Sequence, residues 1–226
     1  MAATRLIPLH VNKGKTVARC LADRVDYSQN PEKTEDGKYV SSYGCNPETV
    51  DEEFLLSKRQ YVQITGRESK KDVIAYQIRQ SFKPGEVTPE EANQIGHELA
   101  MRFTKGAHAF IVATHTDQKH IHNHIIFNST TLDCTRKFRD FYFSGIALRR
   151  ISDLICLEHG LSVIKPKAYR DREKYQDTRF TKSKRKQIRE AIDTILLEEP
   201  KDFEDFLKRM EREGFFIRRE KQLAIL

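Results

Sequence analysis

The feature that most constrains this chain is the stretch His115-Thr-Asp-Gln-Lys-His120-Ile-His122-Asn-His124, where four of the eight histidines fall within ten residues. Apolar runs flank it, Ala109 to Thr114 before and Ile125 to Phe127 after, and both read as strands. Polar Thr116 to Lys119 reads as the turn of an antiparallel hairpin. Side chains alternate faces along a strand, so His120, His122 and His124 are expected on one face, with Ile121 and Ile125 on the other against helices. If the hairpin pairs His115 with His122, His115 joins the same face and a cup of three imidazoles results.

Neutral imidazole is a ligand for zinc, manganese, iron, nickel or copper. Three protein ligands leave positions open, which marks a catalytic rather than a structural site. The plainer alternative, an exposed histidine-rich turn with no ion, accounts poorly for alternating spacing. The chain has no H-E-x-x-H and no H-x-H-x-D-H, so two common zinc-hydrolase classes lose support. His120 is open to three roles: fourth ligand, proton acceptor or phosphate contact. Asp117 is a candidate for orienting a ligating imidazole from outside, or an ordinary turn aspartate.

The elements around the hairpin follow from pattern. Thr4 to Val11 reads as a strand at a sheet edge, because Pro8 cannot donate to a ladder. Val17, Leu21 and Val25 recur at helical spacing, and Asn30-Pro31 ends that helix just after Tyr27. Tyr39 to Cys45 is a short strand or loop, and Thr49 to Tyr61 a helix. Asp72 to Phe82 alternates as a strand, with Ile74, Tyr76, Ile78 and Phe82 on one face and Gln77, Arg79 and Ser81 on the other. Thr88-Pro-Glu-Glu91 opens a helix with a capping box and Ala92, Ile95, Leu99 and Phe103 as its apolar stripe. Ile146 to Leu157 is a helix stopped at Gly160, and Leu161 to Ile164 is one more strand. This order predicts an α+β fold, an antiparallel sheet of about five strands flanked by helices.

Composition shifts at Lys165. The whole chain carries +7 with a pI near 9.2, yet Lys165 to Arg189 alone holds eleven Lys or Arg against three Asp or Glu, a local balance of +8. Two domains are expected: a core over 1–164 and a basic helical extension over 165–226, with Asp202 capping its last helix and the native chain running on past Leu226. Such concentrated charge beside Tyr169, Tyr175 and Phe180 fits a DNA backbone with some base stacking. The residues expected to touch DNA there are Arg170, Arg172, Lys174, Arg179, Lys182, Lys184 and Arg185. Lys33, Arg136, Lys137 and Arg139 are expected to do so within the core. The scattered cysteines, Cys20, Cys45, Cys134 and Cys156, fit a reducing cytoplasmic setting. No apolar run is long enough for a membrane span, and the N-terminus has no signal-peptide core.

Tyr27 stands in Asp-Tyr-Ser-Gln-Asn-Pro-Glu-Lys-Thr. A tyrosine can attack a phosphodiester and hold the strand end covalently, conserving the bond for rejoining. A free phenol, with a pKa of about 10, is only about one part in a thousand ionised at neutral pH, so a base or cation must assist.

Together, Y-x-x-N-P-E-K-T and, about ninety residues on, H-x-D-x-x-H-x-H-x-H-x-x-x-N up to Asn128 resemble the mobilisation relaxases of conjugative plasmids and integrative elements, in the HUH endonuclease superfamily. The resemblance extends over roughly residues 4 to 164. It implies site- and strand-specific nicking and rejoining at an origin of transfer through a 5′-phosphotyrosyl link, with Mn²⁺ or Mg²⁺ as cofactor. Its partners would be single-stranded or hairpin DNA, accessory relaxosome proteins and a type IV secretion coupling protein. By motif position Tyr27 is the nucleophile, with Tyr39 and Tyr43 as fallbacks, and His115, His122 and His124 are the ligands. His120 fills an additional family histidine position. One departure is Ile121, where many relatives carry proline. Rival readings are a rolling-circle initiator or transposase with the same chemistry, a non-catalytic basic DNA-binding module with a structural metal, and a hydrolase acting through water.

Overall fold

The structure, a computed structural model, describes residues 2–68, 72–164, 184–219 and 223–225. The chain divides into two compact units, Met1–Lys165 and Pro166–Leu226. In the first, β1 (Ala3–Leu9) leads to α1 (Val17–Ser28), a single turn α2 (Pro31–Thr34), β2 (Val40–Tyr43) and α3 (Val50–Thr65). Then come β3 (Ala75–Ser81), α4 (Pro89–Thr104), β4 (Phe110–His115), β5 (His122–Asn128) and α5 (Ser144–Glu158). All five strands form one antiparallel sheet in the order β1-β3-β5-β4-β2. Pro8 lies on the edge strand β1, where its missing N–H costs least.

Strand alternation splits the apolar residues between two cores. On one face Tyr76, Ile78, Phe110, Val112, Ile125 and Phe127 pack against Ile95 and Leu99 of α4 and Leu148 and Ile155 of α5. On the other, Ala75, Ile111 and Ile126 meet Leu21 and Val25 of α1 and Phe54 of α3. Ile121 and Ile125 both turn to the α4–α5 side, as the alternation predicts. Helix α4 begins with the expected capping box between Thr88 and Glu91. Ile74 differs from expectation: it precedes β3, donates its N–H to the Leu9 carbonyl and joins the second core, not the first.

Between His122 and His124, on the opposite face, Asn123 is fully buried in a polar network. It accepts from Thr114 Oγ1 at 2.7 Å and donates to Gln80 Oε1 at 3.0 Å and to the Ala92 carbonyl at 2.6 Å. Gln80 in turn donates to Ser152 Oγ on α5. Every member is paired, so the network pins both helices to the strand that carries the histidines. Gly96 on α4 is what permits this approach. A Cβ there would collide with the Asn123 side chain and stand 2.9 Å from Val112 Cγ1. Gly96→Ala should therefore destabilise the protein by about 1–3 kcal/mol despite alanine's better helix propensity; urea unfolding checks this, and wild-type stability would contradict it.

Lys58 of α3 ties that helix to the end of β5, donating to Asn128 Oδ1 at 2.8 Å and Ser129 Oγ at 2.7 Å. Its stem lines an open pocket while its ammonium lies deep, and burial, aided by Lys137, pushes it down to about 7 from 10.5. Unfolded chains bind this proton up to pH 10.5 and the folded chain releases it near 7, so wild-type stability should rise as pH climbs through that window. Lys58→Met should remove on the order of 2 kcal/mol of that rise, a figure discounted for the exposed stem. Melting curves from pH 7 to 10 test it, and an unchanged slope in the variant would refute it.

Leu161 to Ile164 forms no strand; Leu161 and Val163 bury against the α4–α5 core without joining a ladder. In the second unit, α6 (Lys184–Leu197) and α7 (Phe203–Arg212) are followed by a two-stranded sheet of β6 (Ile217–Arg219) and β7 (Leu223–Ile225). Asp202 caps α7 as expected, accepting from Asp205 N. Strands β6 and β7 pair antiparallel, so the extension expected to be helical over 165–226 is not wholly so. Among the described residues no helix is long and apolar enough to cross a membrane. All four cysteines are unpaired.

Candidate active site

The β4–β5 register puts His115 directly opposite His122, as the hairpin reading required, and His124 two residues further along the same face. Ring centroids lie 5.1 Å apart for His115 and His122, 4.4 Å for His115 and His124, and 5.2 Å for His122 and His124. One nitrogen from each ring falls within 4.8 Å of the others. His120 lies outside β5. The connection runs to Ile121, because pairing His115 with His122 leaves the six residues between them outside the ladder. His120 is therefore exposed on the turn, its ring 5.3 Å from that of His122 and outside the three-residue cluster.

The second nitrogen of each ring is engaged by the chain. His115 Nε2 lies 2.8 Å from the Ser28 carbonyl. A carbonyl only accepts, so Nε2 carries the proton and Nδ1 keeps its lone pair for a cation. His122 Nδ1 likewise faces the His120 carbonyl at 3.3 Å, freeing Nε2. His124 Nδ1 is 2.6 Å from the amide nitrogen of Gln77. A half-turn of that amide presents its oxygen instead, so that Nδ1 donates and Nε2 is free. Burial pushes all three imidazoles below their ordinary value, His124 to about 3. They are neutral at physiological pH, the state a divalent cation needs. Three converging, neutral, oriented nitrogens fit such an ion.

Tyr27 occupies the last turn of α1, with its ring centroid 6.2 Å from His115 and 5.7 Å from His124. It is 47% exposed, open to a large substrate. Local chemistry holds it there. Thr16 caps α1 at the start, and Asn30 caps the turn after it by accepting from Glu32 N at 3.0 Å. That turn is bolted to the sheet by Thr116 N donating to the Lys33 carbonyl at 2.9 Å. Lys33 Nζ consequently sits 4.5 Å from the Tyr27 ring centroid and 3.9 Å from Asp117. Asp117 hydrogen-bonds Gln118 and faces Lys33, while the partners of the three imidazoles are Ser28, His120 and Gln77. Tyr39 and Tyr43 are committed elsewhere, Tyr39 to Glu90 and Tyr43 to the Gly106 carbonyl with its ring on Phe110.

Other sequence-predicted DNA contacts lie away from the triad. Lys137 pairs with Asp72 and covers the Tyr61 ring, and Thr130 bridges to Lys137 at the far end of β5. At about 3.3 Å per residue that is about 20 Å from His122. Arg136 and Arg139 are exposed on the same segment, whereas Phe138 is packed on Tyr76 and Phe127. Arg170, Arg172, Lys174, Arg179 and Lys182 fall outside the described residues; Lys184 and Arg185 lie in the first turn of α6. Gln77 and the Ser28 carbonyl were not foreseen. Gln77 was legible as a polar residue on the site face of β3, but only the β3–β5 register shows that it reaches His124.

A family model for relaxases, the MobA/VirD2-like nuclease domain, matches residues 27–161. The group II intron-interrupted relaxase LtrB of Lactococcus lactis subsp. cremoris is 30% identical over 222 residues, covering 84% of this chain and 39% of that protein. A Staphylococcus aureus protein named Rlx is 39% identical over 123 residues, 54% of this chain and 37% of its own length. The chain thus spans well under half of either relative. A solved chain from work on the molecular basis of vancomycin resistance transfer in Staphylococcus aureus superposes at TM-score 0.46 with 14% identity, over 75% of this chain and 100% of that one. The matched stretch takes in Tyr27, the whole histidine hairpin and strands β2 to β5, and the chain belongs to the family of MobA/VirD2-like relaxase nuclease domains.

Proposed function

We propose that this chain nicks and rejoins one strand of DNA at an origin of transfer, so starting conjugative transfer or mobilisation of a plasmid or integrative element. The observation that carries the reading is the Tyr27 ring beside three oriented, neutral imidazoles. His115, His122 and His124 would hold Mn²⁺ or Mg²⁺, and an all-imidazole set favours Mn²⁺. The ion would supply Lewis-acid charge neutralisation at the non-bridging oxygens of the scissile phosphate.

The chain's own residues do the rest. The Tyr27 oxygen attacks phosphorus, the bond to the 3′-oxygen breaks, and the leaving strand takes up a proton as a 3′-hydroxyl. The product is a 5′-phosphotyrosyl ester, and attack by a 3′-hydroxyl reverses every step. Lys33 brings positive charge to the nucleophile, tempered by Asp117. His120, exposed on the turn with its ring 5.3 Å from that of His122, would serve as proton acceptor for the phenol or as a phosphate contact. Single-stranded or hairpin DNA is the substrate, with accessory relaxosome proteins and a type IV coupling protein as partners. Unpaired cysteines support a cytoplasmic setting.

The test is incubation of the protein and Mn²⁺ with labelled oligonucleotides tiling an origin of transfer. A protein–DNA adduct on a denaturing gel, with the nucleotide mapped by mass spectrometry to the Tyr27 peptide, is the expected result. Cleavage without any adduct would mean that water is the nucleophile and would overturn the proposal.

A further inference from the structure

The strand register draws a line across the sheet that leaves the triad in one direction. His124 pairs with Arg79 on β3, and Arg79 pairs with Arg5 on the edge strand β1. Paired residues share a face, so both arginines lie on the histidine side of the sheet, about one and two strand spacings of about 4.8 Å from His124. Both are exposed, and neither makes a hydrogen bond or ion pair among the described residues. In the other direction the same row continues through Ala113 to Val40, which packs into the core under α1. The row below, Ile126, Gln77 and Ile7, is likewise largely covered by that core. Along this row, therefore, a polyanion at the triad meets positive charge towards β1, on the side away from Lys33's place beside Tyr27.

Two further observations favour a ligand on this line. Like charges directly opposite on neighbouring strands are destabilising, and among the described residues no carboxylate pairs with Arg5 or Arg79. Beyond Arg5, a groove of about 600 Å³ is lined by Thr4, Arg5, Leu6, Phe141, Tyr142 and Gly145. Asp140 also lines it but makes no ion pair with Arg5. Tyr142 is 89% exposed, with its ring 5.1 Å from that of the exposed Phe143. An aromatic ring left this bare beside a cation is the composition of a single-strand platform.

We propose that Arg79 and Arg5 form a phosphate track that carries the DNA strand from the scissile position to the β1 edge, where Tyr142 stacks on a base. This rests on the relaxase reading and adds the course of the substrate. The strand crosses the sheet over β5, β3 and β1 in turn. Arg79 holds the phosphate neighbouring the scissile one, and Arg5 the next.

The experiment uses the full chain in a chelating buffer, so that cleavage is silent, with a fluorescein-labelled oligothymidylate of about twenty nucleotides titrated at several salt concentrations. A single-strand phosphate contact contributes about 0.7 to the slope of log affinity against log salt. The double variant Arg5→Gln/Arg79→Gln should therefore flatten the slope by about 1.4. Tyr142→Ala should weaken binding roughly 5- to 100-fold with the slope kept, as loss of one stacked base implies. Melting temperatures of Arg5→Gln and Arg79→Gln should equal or exceed wild type, because the like-charge pair is relieved. A wild-type slope in the double variant, lost binding that tracks a lowered melting temperature, or no salt-dependent binding by the wild type would each overturn the track. The Tyr27 adduct assay is independent of these readouts: an adduct formed normally beside an unchanged slope removes the track alone, whereas absence of both adduct and binding removes the relaxase reading with it.

Discussion

Tyr27→Phe is expected to lower covalent adduct formation by on the order of 10³-fold or more, with DNA binding retained. The substitution deletes one oxygen and keeps the ring that packs 5.7 Å from His124 and lies under Lys33. Nothing else in the site has reason to move, so binding and melting should match wild type. The other tyrosines near the start of the chain offer no rescue. Tyr39 is buried with its hydroxyl on Glu90, and Tyr43 is stacked on Phe110. Denaturing gels read the adduct and native gels read binding. An undiminished adduct in the variant would show that another group attacks phosphorus.

His124→Ala should cost more Mn²⁺ affinity than the about 10- to 100-fold typical of losing an outer partner such as Gln77. Nicking should fall in step and recover in part at high Mn²⁺. Because all three imidazoles are held below the ordinary value of 6.5, wild-type affinity should stay flat as pH is lowered to that point. The ion-free protein carries a matching signature. Unfolded chains protonate this histidine near 6.5 and the folded chain only near 3, so its contribution to stability is whole above 6.5 and is lost as pH falls towards 3. The alanine variant should lack that part of the acid slope. Calorimetric titration with Mn²⁺ and acid melting curves check the two halves; unaltered Mn²⁺ affinity would exclude His124 as a ligand.

The parts of this site that were legible in the sequence are those governed by short-range periodicity. Alternation put His122 and His124 on one face, the Asn30-Pro31 break located the end of the helix bearing Tyr27, and Thr88 with Glu91 marked the start of α4. What escaped depended on pairing between distant strands. His120 continues the alternation on paper, but the register with His115 decides where β5 begins and leaves it on the turn. Gln77, Arg79 and Arg5 are ordinary polar residues until β3 is laid beside β5 and β1 beside β3. Leu161 to Ile164 has a strand's composition, yet Leu161 and Val163 pack partly buried against the α4–α5 core without joining a ladder, and Ile164 is exposed. The basic segment was visible as charge, which reports a preference for polyanions but no path for one.

Ser28, whose carbonyl accepts the hydrogen bond from His115 Nε2, follows Tyr27 and is the last residue of α1. Aim of the ligand and seating of the helix end are thus one equilibrium. Free-energy coupling is reciprocal, so whatever factor a docked helix adds to ion affinity, a captured ion returns to helix docking. With His115 as a ligand and Tyr27 as the nucleophile, as proposed, a chain without its cation would hold Tyr27 more loosely, and the attacking group would be fully mustered only once the means of stabilising its target was aboard.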